Sequence, residues 1–374
     1  MLFQEPELDA DDLRVIAEID DLRRQLQLYL RTGRRWKGQL RRNLRARAIR
    51  GSNSIEGYDV SLDDAVALLE DDEPLDADRL TSLEIVGYRN AMTYIQQLAE
   101  DPHFSMDESL VRGLHFMMLG HDLSKSPGQY RIKPVYVHDD EQDLVVYEGP
   151  GPELVPDLMA ELMVDLNAEK SSPQYVRAAM AHLNLVMIHP FRDGNARMAR
   201  ALQTLVLARE KIVSPEFCSI EEWLGRNTGA YYDILALVGK GSWSPGPDTH
   251  AWVKFNLTAH HVQAQTVLRR VDETRRIWLR IVDLLAELKL PDRFAFALYP
   301  AAGGLKVRRV AYERDAELEQ GAAGRDLRAM VSAGYLAAVG ETKGRVYVAT
   351  PPLRAIRDDI AQGRIRPSDP YRSR

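Results

Sequence analysis

The chain has 374 residues, 45% of them hydrophobic and 28% charged, with a formal net charge of −6 and a single cysteine. That length can bury a substantial core and accommodates two or three domains. The lone Cys218 excludes an intramolecular disulfide and a cysteine-rich zinc site, the acidic balance gives no global nucleic-acid signature, and no apolar run approaches a membrane span.

Residues 1–12 are acidic and poor in apolar side chains, unlike a secretory leader, and with the single cysteine this fits a cytoplasmic setting. The stretch Arg23 to Arg50 is dense in arginine, and Leu22, Leu26, Tyr29 and Leu30 keep helical spacing. An amphipathic helix with a solvated arginine face is expected, able to touch acidic partners or nucleic acid. Next comes Ser52-Asn-Ser-Ile-Glu56-Gly57, in which Ser52 and Glu56 share one face of a helix that Gly57 stops. Gly128 to Val137 and Leu144 to Tyr147 are β-rich runs about a polar turn, His138 to Asp143, and predict a hairpin.

Apolar-periodic segments at Ala178 to Ile188 and Met198 to Leu207 bracket the most informative stretch, His189-Pro-Phe-Arg-Asp-Gly-Asn-Ala-Arg-Met-Ala-Arg200. The pattern reads as a tight loop joining two helices, the second opened by Gly194-Asn195. Unpaired N–H groups and the dipole at such a helix start suit phosphate. Arg197 and Arg200 lie three apart and can reach one polyphosphate. Asp193 can hold a magnesium ion shared with the phosphates, and His189 is left as a base beside the phosphate to be attacked. Chemistry is the reading we carry forward.

Downstream, Trp223 to Tyr232 places aromatics in a helical run, and Trp243 and Trp252 flank a Ser/Pro/Gly loop as packing anchors. His260-His261, His103, His115 and His121 lack metal-ligand spacing. A helical stretch, Val271 to Leu290, precedes Arg293 to Pro300 and Leu305 to Val310. An apolar helical face, Ala323 to Leu336, then leads through a glycine turn (Gly340 to Gly344) into Arg345 to Ala349, giving helix plus β-hairpin.

The stretch at 189–200 resembles the signature of the Fic family, His-x-Phe-x-Asp/Glu-Gly-Asn-Gly/Lys-Arg-x-x-Arg. His189, Phe191, Asp193, Gly194, Asn195, Arg197 and Arg200 match it, and Ala196 departs from it. The resemblance implies transfer of AMP from ATP to a Ser, Thr or Tyr hydroxyl of a protein, with Mg2+ on Asp193. His189 would take the hydroxyl proton. Gly194, Asn195 and Ala196 would supply backbone to an anion hole, Arg197 and Arg200 would grip the β- and γ-phosphates, and Phe191 would seat the loop. A Cβ at position 196 costs about a kcal/mol or more if the backbone there needs positive φ, and nothing if it already lies in the helix. The shared face of Arg197 and Arg200 favours the helix. Lysine variants at this position go with altered nucleotide orientation and phosphotransfer; alanine supplies no such charge.

By the same resemblance, Ser52, Glu56 and Gly57 form an inhibitory motif whose glutamate pairs with Arg200, within the chain or across a dimer. Val135, Tyr136 and Val137 would be the flap edge that holds a target segment by strand addition. Asn227, Tyr231 and Tyr232 would close the adenine pocket. The last ninety residues resemble a winged helix, with Arg325 and Arg328 outward on its recognition helix and Lys343 and Arg345 at the wing. The expected fold is mainly α: an N-terminal helical region over 1–100, a Fic helical core with a β-hairpin flap over 101–265, and the winged helix over 271–365. The expected function is an autoinhibited protein adenylyltransferase using Mg-ATP on a target protein or itself. Expected partners are a hydroxyl-bearing protein, a homodimer mate and DNA, with no membrane. The alternatives are a deadenylylase using Glu56, a phosphotransferase, or a nucleotide-sensing DNA-binding regulator.

Overall fold

Ser61, Asp78 and Asp107 each accept a hydrogen bond from the backbone N–H three residues on, and each opens a helix. The computed structural model describes residues 1–31, 35–139, 144–209, 214–319, 321–341 and 344–372. The first half holds α1 (Ala10–Arg31), α2 (Lys37–Ile55), α3 (Leu62–Leu69), α4 (Arg79–Leu98) and α5 (Glu108–Leu119). After β1 (Tyr136–Asp139) and β2 (Leu144–Glu148) come α6 (Val155–Asn167), α7 (Gln174–Ile188) and α8 (Asn195–Arg209). Three short helices follow, α9 (Pro215–Cys218), α10 (Glu221–Arg226) and α11 (Thr228–Gly239), leading to the long α12 (His250–Glu287). The chain closes with α13 (Ala295–Ala302), α14 (Arg309–Asp315), α15 (Ala322–Ser332), β3 (Leu336–Val339), β4 (Val346–Ala349) and α16 (Pro351–Ala361).

The expectation of a mainly α fold with a small hairpin holds. Helices α7 and α8 form the central pair and are buried almost throughout, α7 being largely apolar while α8 also buries Asn195, Arg197, Arg200, Gln203 and Thr204. Leu183, Ile188, Met198 and Leu202 are fully sealed from solvent. Trp252 anchors α12 on this pair: its ring is buried and its Nε1–H donates to Ala179 O at 2.8 Å. Trp243 packs edge-on against Phe3, so both tryptophans act as the packing anchors expected of them.

Helix α2 reaches the core by an unusually close crossing. A Cβ built on Gly51 would lie 2.6 Å from Glu221 O, and one on Gly225 would lie 2.6 Å from Gly51 O. The backbones of α2 and α10 therefore touch, which only glycine permits.

Two expectations are corrected here. The basic stretch 23–50 is divided between α1 and α2, and Arg23 is not solvated: it is buried, stacks over Tyr175 and donates to His260 Nδ1 at 3.1 Å. The boundary drawn between 265 and 271 falls inside α12, which runs unbroken for 38 residues and packs on both α1 and α16. The tail from α13 onward has the order helix, isolated bridge (Val307 with Tyr347), helix, helix, antiparallel hairpin. Among the described residues, no helix is long and apolar enough to cross a membrane.

Candidate functional site

The loop between α7 and α8 is folded by its own residues. His189 caps α7 in the left-handed conformation (φ 51°, ψ 57°), which turns the chain sharply out of the helix. Phe191 is fully buried and stacks face to face on His115, ring centroids 3.7 Å apart. Asn195 bridges the loop twice: Phe191 N–H donates to its Oδ1 at 2.8 Å, and its Nδ2 donates to Phe191 O at 2.9 Å. Gly194 sits at φ +74°, where a Cβ would also meet Leu119 Cδ1 at 2.8 Å. Ala196 lies inside α8 and is not among the positive-φ residues, so its Cβ is accommodated. The first backbone bond of α8 runs from Met198 N–H to Gly194 O, which leaves the N–H groups of Asn195, Ala196 and Arg197 without helical partners. An anion hole can form there from the backbone, while the Asn195 side chain is committed to the loop.

The His189 imidazole has one ring nitrogen committed to the backbone. Nδ1 lies 3.2 Å from Val186 O, an acceptor only, so Nδ1 carries the proton and Nε2 keeps its lone pair. Burial, opposed by the bond to Val186 and helped by Arg131, pushes its pKa down to about 4. The ring is therefore neutral at physiological pH.

Both arginines of the motif are buried and engaged with carboxylates. Arg200 donates from Nε to Ser52 Oγ at 2.8 Å, and from Nη2 to Ser52 O at 2.9 Å and Glu56 Oε1 at 2.8 Å. The pair closes within one chain, and Glu56 sits just past the end of α2, before Gly57 at φ +83°. Burial works against the Arg200 charge, but Glu56 together with the Tyr231 and Tyr88 hydroxyls more than offsets it and raises the pKa. Arg200 Nη1 is buried with no hydrogen-bond partner. Arg197 donates to Glu84 Oε2 at 2.5 Å, both side chains being sealed from solvent. Glu84 also receives Lys125 Nζ at 2.8 Å, and Lys125 reaches Asp193 Oδ2 at 2.9 Å. Burial favours the neutral acid at Glu84, yet Arg197 and Lys125 hold its pKa down to about 2. Asp193 is also lowered: burial raises it, and Lys125 more than compensates.

The residues assigned to the flap and the adenine pocket divide differently. Residues 128–135 are not a strand, because Arg131 ties them to the loop between α7 and α8: its N–H donates to Pro190 O at 2.9 Å and its Nε to His189 O at 2.8 Å. Pro134, without an N–H, adds no ladder bond. Val135 therefore precedes the strand, and the edge is Tyr136–Asp139, with Tyr136 exposed and Val137 half-buried. Among the described residues β1 pairs only with β2, whereas β2 is covered at Glu148 by Gly241 to Trp243. The turn residues 140–143 lie outside the described residues, as does Lys343 of the wing.

Tyr231 is corrected from pocket to core: it is fully buried and pairs with His182 Nε2 at 2.9 Å beneath Trp252. Tyr232 stays half exposed, and its hydroxyl donates to Ile55 O at 3.3 Å, next to Glu56 in the chain. Asn227 is half-buried and donates to Trp223 O at 2.8 Å.

Glu84, Lys125, Arg131 and His115 were missed by the sequence reading. Glu84 carried a signal, being an acid within the apolar stripe Thr81, Ile85, Tyr88, Met92 and Ile95 of α4. His115 is a structural clamp: its Nε2 meets Asp193 O at 2.9 Å and its Nδ1 accepts Gly128 N–H at 2.8 Å. Elsewhere, Asp9, Asp12 and His250 converge closely enough for an ion. Those groups are already engaged, Asp12 by His250 and Tyr371, and Asp9 by Lys254.

Residues 105–207 match the model of the Fic/DOC family. The chain is 35% identical over 197 residues to protein adenylyltransferase Fic of Culex quinquefasciatus, covering 52% of this chain and 37% of that protein. It is 31% identical over 198 residues to the Drosophila ananassae protein of the same name, covering 51% and 36%. The chain thus spans little more than a third of the length of these curated relatives. A crystal structure of a Fic family protein from Desulfovibrio desulfuricans G20 superposes with TM-score 0.57 at 21% identity, covering 93% of this chain and 99% of that one. A Fic domain containing signaling protein from Bacteroides thetaiotaomicron gives 0.57 at 22% identity, covering 68% and 98%. At such identities the superpositions show a shared fold.

Proposed function

We propose that this chain, whose residues 105–207 match the Fic/DOC family model, is an autoinhibited protein adenylyltransferase. The observation that carries the reading is His189, whose Nδ1 is tied to Val186 O so that Nε2 keeps its lone pair, on the loop that leads into the open α8 N-terminus. In the proposed reaction a target Ser, Thr or Tyr hydroxyl oxygen attacks the α-phosphorus of ATP. Its proton passes to His189 Nε2, the bond from the α-phosphorus to the bridging oxygen breaks, and pyrophosphate leaves. The unpaired N–H groups of residues 195–197 stabilise the charge that develops, and Arg197 and Arg200 take the β- and γ-phosphates. The half-exposed Asp193 carboxylate suits Mg2+, a hard cation that takes one or two carboxylates beside phosphates. When bound, the ion would neutralise phosphate charge. Lys125 must yield its contact with Asp193 for that to happen.

Inhibition follows from the same groups. With Arg200 held by Ser52 and Glu56, and Arg197 held by Glu84, neither guanidinium is free to meet a polyphosphate. The open edge of β1 is suited to a target segment added as a strand. Incubation with ATP labelled in the adenine ring tests the proposal on wild type, Glu56→Gly and His189→Ala. Label on protein that rises in the first variant and vanishes in the second supports it, including label on the chain itself. Absence of label despite ATP binding would instead favour a nucleotide sensor, and label from the γ-phosphate a phosphotransferase.

We read residues 295–349 as a winged helix from the order of their elements. Arg325 and Arg328 are exposed on α15, which suits DNA phosphates. A salt-sensitive mobility shift that Arg325→Glu with Arg328→Glu abolishes is the expected result.

A further inference from the structure

Away from the catalytic loop, a cavity of about 370 Å³ opens between α2, α12, α13 and α16. Its wall carries six arginines from four places in the chain: Arg47, Arg226, Arg269, Arg270, Arg357 and Arg364. The acids around them are few. Glu222 receives Arg270 and Arg226 and lies 3.7 Å from Arg47. Glu273 receives Arg364 at 2.8 Å, and Asp358 receives Arg357 at 3.0 Å. Six guanidinium groups against three carboxylates leave three positive charges in excess.

Fixing like charges together without a counter-ion is unfavourable, and here they are partly desolvated as well. Burial and the neighbouring Arg270 press the Arg47 pKa down to about 10, and burial lowers that of Arg269. Arg269 Nε is buried and donates no hydrogen bond, its nearest acid oxygen lying 3.6 Å away on Glu273. The floor differs from the wall: Leu40, Leu44 and Ile277 are buried and apolar. The volume matches that of small-molecule pockets. Planar forked donors are the residue type that phosphate recognition favours over ammonium groups.

We propose that this cavity is a second ligand site, distinct from the catalytic cradle, for a small polyphosphate-bearing anion. Its phosphates sit among the six arginines and its uncharged body, where it has one, lies on the Leu40, Leu44 and Ile277 floor. The site bears on the lock through two elements. Helix α2 carries Arg47 on the cavity and Ser52 and Glu56 on Arg200. Helix α10 carries Glu222 among the arginines and, next to it, Glu221, which accepts the Tyr88 hydroxyl at 2.8 Å near Arg200. The site does not depend on the transfer activity proposed above.

The test is calorimetric titration of the full chain, without metal, by inorganic tripolyphosphate and in parallel by GTP. Wild type binds, Arg47→Ala and Arg357→Ala each weaken binding about tenfold, and Arg200→Ala, which disables the cradle, leaves it unchanged. Arg357 lies on the surface helix α16 beside its own partner Asp358, so its replacement keeps the fold even where Arg47→Ala does not. Tighter binding of GTP assigns a nucleotide that uses the apolar floor; equal binding assigns the phosphate chain alone. The proposal is overturned if wild type shows no heat at millimolar anion, or if Arg357→Ala binds like wild type. It is equally overturned if binding disappears with Arg200→Ala, or falls as much with the remote surface change Arg325→Ala.

Discussion

Replacing Glu56 by glycine tests the lock most directly. The carboxylate meets a fully buried guanidinium at 2.8 Å, but its own side chain keeps 22% of its exposure, so the full strength of a buried pair does not apply. A hydrogen bond between charged groups contributes about 1.5–3 kcal/mol net in such a setting. Arg200 retains both Ser52 contacts after the change, so the protein stays folded, with stability lower by about the same 1.5–3 kcal/mol. The same free energy no longer opposes capture of Arg200 by the γ-phosphate. At 1.4 kcal/mol per tenfold, AMP transfer at subsaturating ATP rises by about 10- to 150-fold. The assay is label transferred from adenine-labelled ATP, read beside thermal unfolding with and without nucleotide. ATP should restore Tm in the variant more than it raises Tm in wild type, because only in the variant is Arg200 released from Glu56. Ser52→Ala, which removes one of the two Ser52 acceptors, should give a smaller rise. Equal transfer by wild type and Glu56→Gly at saturating Mg-ATP would refute the reasoning.

The pKa of about 4 for His189 predicts the acid side of the pH profile. The neutral ring is the active form and burial lowers its pKa, so kcat/KM of Glu56→Gly persists to lower pH than an ordinary histidine allows. At pH 5 about 90% of His189 stays neutral, against about 3% for the usual pKa of about 6.5. An acid limb centred near 6.5 would contradict the assignment. Gly194→Ala forces a Cβ into a left-handed backbone and onto Leu119, costing about 1–2 kcal/mol, and should lower Tm while abolishing transfer. Wild-type Tm with full activity would show that the turn tolerates a side chain. Lys125→Met removes the cation that Asp193 now faces, so half-saturating magnesium should fall several-fold in the Glu56→Gly background. An unchanged or higher magnesium requirement would show that Lys125 does not compete there.

What was legible in the sequence was local. The signature places its loop because the residues that fold it, Phe191, Gly194 and Asn195, sit beside those that carry charge, and the helix periods on either side are uninterrupted. The pairing of Glu56 with Arg200 was legible only through the family resemblance, since 144 residues separate the partners. Glu84 was not found because its partner Arg197 is 113 residues away and no local pattern ties an acid on α4 to a loop it meets only in the folded chain. Tyr231 and Tyr232 are adjacent on one helix, so their turn of about 100° sends one into the core and leaves the other half exposed. Composition cannot assign which. The boundary expected between 265 and 271 failed for the opposite reason: the 38-residue α12 carries an unbroken backbone through it.

The contact of Gly51 and Gly225 limits how the lock can open. Two backbones in direct contact cannot slide past each other, and a helix seated that way cannot be lifted off without exposing both glycines and the carbonyls they cover. The body of α2 is therefore a fixed hinge plate. In the proposed inhibition, release of Arg200 would come downstream of it, by unwinding the last turn from residue 52 to Gly57, where the positive φ already ends the helix. Activation of the proposed enzyme would then require only a local melting, at the end of a helix that otherwise stays put.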